Sequence, residues 1–349
     1  MAGEDAEVKG IHRSRVTEWF AAQIRGVTPP LDFELIAGGH SNLTYKLTDA
    51  AGRLYVLRRP PLGAVLATAH DMAREHRIIS AIGRTEVPVP PALGLCEDEQ
   101  VNGAPFYVME YVEGHVLLDG PSTEKLFGPK ERYRIGRSVI QVLADLHRLD
   151  PDRIGLGDLG RKEAYLARQL KRWRTQWEKS KTRELAAMEE VHEALQAQMP
   201  EQVGAGVVHG DYRLGNMLVG RDARVAALLD WELCTLGDPM ADVGYVMNNW
   251  AQPGEESATL RGAALAPTMA GGFPDREVFL ERYVELTGRD VRQVDYYRAF
   301  QYWRLAAIIE GVLARYLKGV MGSAADTDAF RWQVDFLAEE ALSLIRRLG

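Results

Sequence analysis

Residues 207–231 read VVHGDYRLGNMLVGRDARVAALLDW, and this stretch contains two apolar runs that are each followed by a carboxylate. The first run precedes Asp211, and the second precedes Asp230. A Gly-Arg-Asp sequence between the apolar pieces is typical of a hairpin turn that joins two short strands. Such a hairpin would bring Asn216 close to Asp230, with Asp211 nearby.

These side chains have the chemistry of a phosphotransferase. Asn216 and Asp230 supply oxygen atoms, which a hard cation such as Mg²⁺ prefers as ligands. Asp211 would remain outside that pair, where its carboxylate could orient a hydroxyl group. Phosphoryl transfer from a nucleotide needs this combination of a metal clamp and a positioned acceptor.

The order of the residues resembles a known family. His-Gly-Asp, an asparagine five residues after Asp211, and a strand that ends in Asp-Trp-Glu at 230–232 are similar to the catalytic and metal loops of protein-kinase-like phosphotransferases. Gly-Asp-Pro at 237–239 and the later Asp242 resemble more closely the aminoglycoside phosphotransferase and choline kinase-like family. The subgroup that we select is the kinase-like domain found fused to acyl-CoA dehydrogenases. The resemblance extends from about residue 33 to the C-terminus.

The resemblance implies an α+β, bilobal, protein-kinase-like fold. Residues 1–112 would form the small lobe, with an N-terminal helix, an antiparallel sheet and one pairing helix. Residues 113–349 would form a mainly helical lobe that carries the catalytic and metal loops at 207–242. It also implies ATP and Mg²⁺ as cofactors and a small-molecule hydroxyl as the acceptor. By position alone Asp242 is a helix N-cap, whereas in the family an aspartate here braces the catalytic loop.

The glycine-containing turn between two predicted strands at 33–47 is a candidate phosphate loop. Gly39 would let the backbone approach a phosphate closely, and Ser41 and Asn42 could add side-chain donors. An ordinary hairpin turn is the alternative interpretation. The third glycine of protein kinases is absent.

Arg58 occupies the position at which the kinase-like pattern has a lysine on the nucleotide phosphates. It shares a strand face with Val56, and arginine keeps the charge and can bind phosphate through two N–H groups. Arg59 is the second candidate. Glu75 lies on the apolar face of a helix predicted at 69–82, and a buried carboxylate needs a partner. We expect that partner to be Arg58, and the alternative is a solvated Glu75.

An apolar strand at 105–111 runs into Val-Glu-Gly. The resemblance makes this strand the last of the small lobe and makes the segment after it the hinge. Backbone groups of Glu110 and Val112 would then bind the adenine, with Met109 behind it. The sequence by itself shows only an apolar strand that meets a glycine.

The composition is that of a globular cytoplasmic enzyme. The chain has 349 residues, a formal net charge of −7 and two cysteines, so we expect neither a nucleic-acid surface nor a disulfide framework. The acidic first ten residues do not resemble a signal peptide, and no stretch is apolar enough to span a membrane. We expect a monomer or a homodimer.

Helices are predicted over most of the second half, at 130–148, 184–199, 275–287, 292–318 and 328–347. Residues 161–183 are conspicuously basic, which is typical of a solvated helix face. As an alternative, these side chains could form a wall of the acceptor pocket and favour an anionic acceptor. Residues 251–274 are rich in Gly, Pro and Ala and are a candidate lid.

The sequence is also compatible with two other functions. A nucleotide-binding pseudokinase or interaction module is motivated by the reduced glycine loop and by Arg58 in place of lysine. A metal-dependent hydrolase could use His209, Asp211 and Asp230, but further histidines at ligand spacing are absent. We interpret His147, His209 and Trp231 as packing residues. The acceptor is open between a hydroxyacyl-type molecule, which we favour, and an aminoglycoside-like one.

Overall fold

The computed structural model describes residues 8–37, 42–62, 71–252, 254–255, 266–319 and 326–348. It divides into two compact units, which are Met1–Gly114 with Ala226–Glu232, and His115–Val225 with Leu233–Gly349.

The segment 226–232 departs from the expected domain division, because it groups with the first unit and not with the helical one. Its backbone is held there: the Leu228 N–H donates to the Pro88 carbonyl at 2.8 Å. Asp230 is also ion-paired with Arg58. A backbone hydrogen bond and an ion pair thus attach this segment to the first unit.

The first unit is built on a five-stranded antiparallel sheet with the strand order β1-β2-β3-β5-β4. The strands are β1 Leu31–Ala37, β2 Leu43–Asp49, β3 Leu54–Arg59, β4 Ala92–Cys96 and β5 Phe106–Glu110. The helices are α1 Arg13–Gln23, α2 Met72–Ile82 and α3 Glu99–Asn102. Alternate side chains of β2 are buried, as expected for a strand with one covered face. Val16 and Phe20 of α1 pack into the same core as Tyr45 and Leu47.

The second unit is mainly helical. Its helices are α4 Gly120–Leu126, α5 Pro129–Arg148, α6 Tyr165–Ser180, α7 Ala186–Ala197, α8 Met240–Asn249, α9 Arg276–Thr287, α10 Val294–Leu317 and α11 Thr327–Arg346. Its short strands are β6 Gly206–Val208, β7 Met217–Val219 and β9 Thr235–Gly237, and β8 Val225–Leu228 begins at its boundary. β6 and β9 pair antiparallel. The turn of the expected hairpin is present, since the Gly220 N–H donates to the Arg224 carbonyl. The expected α+β class is confirmed.

Helix α10 forms the centre of the second unit. It contacts α6, α7, α8 and α11, and it is buried on most of its circumference, as a central core helix must be. Its aromatic side chains satisfy their polar atoms on neighbouring backbone. Tyr296 Oη donates to the Leu195 carbonyl at 2.6 Å, and Trp303 Nε1 donates to the Met188 carbonyl at 3.0 Å. These aromatic residues therefore belong to the core of the second unit.

The segment 251–274 is described only in part, since residues 253 and 256–265 lie outside the described ranges. Its later part is hydrogen-bonded to the first residue of the same segment and to α5. Thr268 is buried and donates to the Ala251 carbonyl at 2.7 Å, and Arg132 donates to the Gly271 carbonyl at 2.8 Å.

Within the described ranges, none of the helices combines the length and the apolar character needed to cross a membrane. Cys96 and Cys234 are buried free thiols. The expectation that the cysteines form no disulfide is therefore confirmed.

Two mid-helix glycines should respond oppositely to alanine. A Cβ at Gly244 of α8 would lie 2.6 Å from Tyr297 Cβ and 2.7 Å from its carbonyl carbon on α10. Gly244→Ala should therefore lower the free energy of unfolding by about 1–3 kcal/mol. A Cβ at Gly311 would meet flexible ends, the nearest being Gln176 Nε2 at 3.2 Å. Gly311→Ala should be neutral or stabilise by up to ~1 kcal/mol. Urea denaturation measures both, and equal losses would contradict the close α8–α10 packing.

Candidate active site

The predicted pair of Arg58 and Glu75 is present in the first unit. Arg58 Nε lies 3.1 Å from Glu75 Oε2, and the Glu75 side chain is only 2% exposed. Tyr107 Oη also donates to Glu75 Oε2 at 3.1 Å. The alternative of a solvated Glu75 is therefore wrong. The carboxylate could be buried on the apolar face of α2 because each of its oxygens has a partner.

Asn42 is the only residue of the candidate phosphate loop that lies within the described ranges, since Gly39 and Ser41 fall outside them. Its side chain does not extend freely towards a ligand. It is buried, and its Nδ2 donates to Glu75 Oε1 at 2.9 Å. Asn42 therefore completes the hydrogen bonding of Glu75, which differs from its expected role as a phosphate donor.

Arg58 is shared between three carboxylates. Its Nη2 lies 2.6 Å from Asp230 Oδ1 and 3.8 Å from Glu232 Oε2, in addition to the contact with Glu75. Burial alone would lower the pKa of the guanidinium, but neighbouring acidic groups, led by Tyr107 and Glu75, raise it. Arg58 therefore remains a cation that is fixed in orientation by the surrounding acids.

Asp230 reaches Arg58 from an unusual backbone conformation. Its φ is +63°, a left-handed value that residues other than glycine seldom adopt. The next residue, Trp231, is 2% exposed, and its Nε1 donates to the Leu228 carbonyl at 3.1 Å. The interpretation of Trp231 as a packing residue is confirmed.

Arg59, the second candidate for the phosphate position, has a structural role. Adjacent residues of a strand point to opposite faces, and Arg59 is 6% exposed on the face away from Arg58. Its Nη1 donates to the carbonyls of Gly10 and, at 3.0 Å, of Asn102. It therefore connects Gly10, near the start of the chain, to α3, and Arg58 remains the candidate for the phosphate position.

The expected adenine-binding residues lie at the end of β5. Val56 and Met109 are directly paired across β3 and β5, and both are buried. The Glu110 N–H donates to the Pro91 carbonyl at 2.9 Å, so this donor is not available to a base. In the part of the chain that the structure describes, Val112 makes no hydrogen bond, which leaves its backbone groups for a ligand.

In the second unit, Asp211 is held by its neighbours on the same loop. Asn216 Nδ2 donates to Asp211 Oδ2 at 2.6 Å and to the Asp211 carbonyl at 2.9 Å. Arg213 Nε donates to Asp211 Oδ1 at 3.2 Å. The predicted proximity of Asp211 and Asn216 is therefore confirmed. Their contact fixes the direction of the Asp211 carboxylate.

Asp242 braces this loop from helix α8. Its Oδ2 accepts from the His209 N–H at 2.6 Å, and its Oδ1 accepts from the Gly210 N–H at 2.8 Å. The bracing contact implied by the resemblance is confirmed. The N-cap interpretation is wrong, because Pro239 occupies that position and Asp242 lies within the first turn. Gly210 itself has a φ of +86°, and a Cβ there would lie 2.9 Å from the Leu233 carbonyl oxygen.

His147 supports Asp242 from α5. It is 1% exposed, its Nε2 lies 3.3 Å from Asp242 Oδ2, and its Nδ1 lies 2.8 Å from Tyr283 Oη. Burial lowers the pKa of His147, against the opposing effect of Asp242, so the imidazole is neutral. The pKa of Asp242 is also lowered, since hydrogen bonds from His147 and the loop outweigh its burial. Arg289 and Asp238 are the other charges that act on His147.

His209 is also a structural residue. It is fully buried, and its Nδ1 accepts the Asp211 N–H at 3.2 Å. Its ring lies edge-on to Tyr212. The interpretation that His209 packs and hydrogen-bonds the loop is confirmed.

Two further residues lie near Asp211, and sequence reasoning missed the first of them, Tyr245. Burial raises the pKa of the Tyr245 hydroxyl, and the nearby Asp211 carboxylate raises it further. Arg304 of α10 is 8% exposed, and its Nη1 donates to the Gly210 carbonyl at 3.2 Å. Both lie on helices whose aromatic and apolar patterns indicate only core. A buried arginine within α10 was the one available signal.

The oxygen atoms of the two candidate metal ligands fit a hard cation. Both hydrogen bonds of Asn216 use its Nδ2, and Asp230 meets Arg58 through Oδ1. Within the described ranges, Asn216 Oδ1 and Asp230 Oδ2 accept no hydrogen bond. A cluster of three or more His, Cys, Asp or Glu side chains able to hold a metal is absent from those ranges. Amide and carboxylate oxygens of this kind are the ligands that Mg²⁺ prefers.

A family model described as the phosphotransferase enzyme family (APH) matches residues 32–274. The chain belongs to this family. It is 38% identical over 299 residues to the mouse acyl-CoA dehydrogenase family member 10, which covers 85% of this chain and 28% of the relative. The chain thus spans less than a third of the length of that protein. The resemblance to kinase-like domains fused to acyl-CoA dehydrogenases is confirmed.

Solved structures show the same fold. A candidate aminoglycoside phosphotransferase from Ralstonia eutropha JMP134 is 35% identical, with a TM-score of 0.81 over 96% of this chain and 98% of that one. A thermostable mutant of APH(4)-Ia, in a ternary complex with AMP-PNP and hygromycin B, is 17% identical. Its TM-score is 0.61 over 95% of this chain and 98% of that one. The chain thus has the fold of small-molecule phosphotransferases.

Lowering the pH should reduce the free energy of unfolding, because the folded state keeps His147 neutral. The unfolded chain takes up a proton near the ordinary His pKa of 6.5, whereas folded His147 resists it. Stability is therefore lost as the pH falls below 6.5, with a slope of up to ~1.4 kcal/mol per pH unit. His147→Gln should remove that share of the slope between pH 6.5 and 5, measured by urea denaturation. The exposed His115→Gln is the control. Unchanged slopes in both variants would contradict a neutral buried His147.

Proposed function

We propose that the chain transfers the γ-phosphoryl group of ATP to a hydroxyl group of a small molecule. The observation that carries the proposal is the Asp211 carboxylate, which is held at 2.6 Å by Asn216 on a loop braced by Asp242. Asp211 is partly exposed, while the buried Asp242 holds its loop in place. A side chain that positions an acceptor hydroxyl needs both properties.

Asp211 orients the acceptor hydroxyl and receives its proton as the oxygen–phosphorus bond forms. Because the transition state of phosphoryl transfer is loose, the position of the hydroxyl contributes more than the basicity of the carboxylate. The hydrogen bonds from Asn216 and Arg213 restrict the carboxylate to one direction. His209 and Asp242 act on the backbone of the loop.

The first unit supplies the nucleotide-binding groups of the proposal. Arg58, oriented by Glu75, contacts the phosphates. The adenine is placed against Val56 and Met109, and the free backbone groups of Val112 hydrogen-bond it. The Glu110 carbonyl is the remaining candidate, since its N–H is engaged.

Asn216 and Asp230 would hold Mg²⁺ through the oxygen atoms that accept no hydrogen bond. The ion neutralises charge on the phosphate oxygens when it is bound. Asp230 has a second function in this proposal, because its other oxygen orients Arg58 at 2.6 Å. One carboxylate thus serves both the cation site and the phosphate-binding guanidinium.

For the acceptor, we propose a hydroxyacyl-type molecule in preference to an aminoglycoside. The relatives are named as acyl-CoA dehydrogenase family members, and the second unit carries unpaired cations that would repel a polycation. The rival is a catalytically weak nucleotide-binding module. Against it stand the paired Arg58 and the hydrogen-bonded Asp211, which retain the arrangement that transfer requires.

Asp211→Asn should reduce kcat by about 10²–10⁴-fold and leave the affinity for ATP unchanged, because the amide keeps the shape but cannot receive the proton. ATP consumption with a panel of hydroxy acids, hydroxyacyl thioesters, amino alcohols and aminoglycosides measures the first effect, and calorimetry measures the second. The matched control is Asp222→Asn, an exposed turn carboxylate, which should keep full activity. A near wild-type rate for Asp211→Asn would overturn the assignment.

Asp230→Ala should abolish the Mg²⁺-dependent part of ATP binding, because it removes a proposed cation ligand. Calorimetric titration with ATP in Mg²⁺ and in EDTA gives the difference. Glu232→Gln is the matched control, since Glu232 also lies near Arg58 at 3.8 Å but is not a proposed ligand. The assignment is wrong if Glu232→Gln loses the Mg²⁺ effect and Asp230→Ala retains it.

A further inference from the structure

A basic groove lies along α6 in the second unit. Its volume is about 650 Å³, which is in the range of small-molecule sites. The groove is lined by Arg161, Arg168, Lys171, Arg172, Trp173, Thr175, Gln176 and Lys179. We call this set the α6 groove. Its lining includes five cations and no carboxylate.

The cations of the α6 groove differ from the other basic residues of the run 161–183. Outside the groove, each cation has an acidic partner. The pairs are Lys162 with Asp152, Arg174 with Glu178 and Glu189, Lys181 with Glu178 and Glu184, and Arg183 with Asp335. Among the described residues, the five groove cations have no ion pair. An ordinary solvated helix face therefore explains the four paired cations and leaves the groove unexplained.

Two of these cations have contacts that favour the binding of an anionic ligand. Arg168 Nη2 donates to the Arg161 carbonyl at 2.6 Å, whereas its Nη1 is buried and has no partner within the described ranges. A buried N–H group without a partner costs free energy, which an anionic oxygen would recover. The Arg172 guanidinium lies 5.2 Å from the centre of the Trp173 ring, which limits its orientations.

The α6 groove adjoins the catalytic loop. The guanidinium of Arg304 lies 5.4 Å from the centre of the Trp173 ring, and its Nη1 donates to the Gly210 carbonyl next to Asp211. One side chain therefore separates the wall of the groove from the loop that would orient the acceptor hydroxyl. A ligand with anionic groups in the groove could extend its other end towards Asp211.

We propose that the α6 groove binds the phosphate groups of the acceptor, which carries two or more phosphates at the end remote from its hydroxyl. This inference rests on the proposed function and deepens it. Five unpaired cations match a polyanion in charge, and like charges gathered in one cavity are stabilised when such a ligand binds. A thioester of coenzyme A has this chemistry, with a diphosphate and a further phosphate on its ribose. A polycationic aminoglycoside has the opposite charge.

The test compares two variants with the same change in charge. The groove variant combines Lys171→Gln, Arg172→Gln and Lys179→Gln. The control variant combines Lys162→Gln, Lys181→Gln and Arg183→Gln, which are cations that already have acidic partners. Coenzyme A is titrated by calorimetry in the presence of saturating AMP-PNP and Mg²⁺, so that it cannot occupy the nucleotide site. Thermal melting verifies that both variants are folded.

The groove variant should bind coenzyme A at least about tenfold more weakly than the control variant, as expected for the loss of several partly exposed ion pairs. Inorganic tripolyphosphate should compete with coenzyme A in the wild type. The groove variant should also raise KM for a hydroxyacyl thioester and leave kcat unchanged, while KM for the free hydroxy acid stays constant.

Equal affinities of the two variants for coenzyme A would overturn the inference. Competition by tripolyphosphate without any binding of coenzyme A would also overturn it, because the groove would then take a free polyphosphate and not an acceptor. Failure of the proposed function would appear differently. In that case no hydroxyl compound would support ATP consumption, although the difference in coenzyme A affinity could still be measured.

Discussion

A charge that leaves water must find partners, and the two units of this protein are arranged around that requirement. In the first unit, Arg58 joins α2 to the segment 226–232 through Glu75 and Asp230. In the second unit, Asp242 is fully buried and accepts the N–H groups of His209 and Gly210. These charges therefore hold the backbone at Asp230, His209 and Gly210, which lies outside the helices and strands.

Sequence periodicity predicted what depends on neighbours along the chain. The Glu75 position on an apolar helix face required a cation. The two-residue period of β3 put Arg58 and Arg59 on opposite faces, and the resemblance to the kinase-like pattern selected Arg58. Contacts between residues that are distant in sequence were harder to predict. The pattern of α8 shows an acidic residue in a first turn but not which amides it reaches, so Asp242 was also interpreted as a cap. The helical pattern likewise could not show that Tyr245 faces Asp211.

The basic run at 161–183 shows the same limit more sharply. Its composition does not separate paired from unpaired cations, because some acidic partners, such as Asp152 and Asp335, come from outside the run. Only the folded chain separates a salt-bridged surface from the α6 groove. The functional meaning of a charged helix therefore depends on residues that are not part of it.

The arginine at position 58 has a consequence for chemical durability. A lysine amine loses its proton more readily than a guanidinium and, once neutral, is a nucleophile that acyl thioesters modify. A guanidinium remains charged at every physiological pH and does not undergo that reaction. A phosphotransferase that works among acyl thioesters would therefore keep its phosphate-binding group unmodified by the molecules it handles.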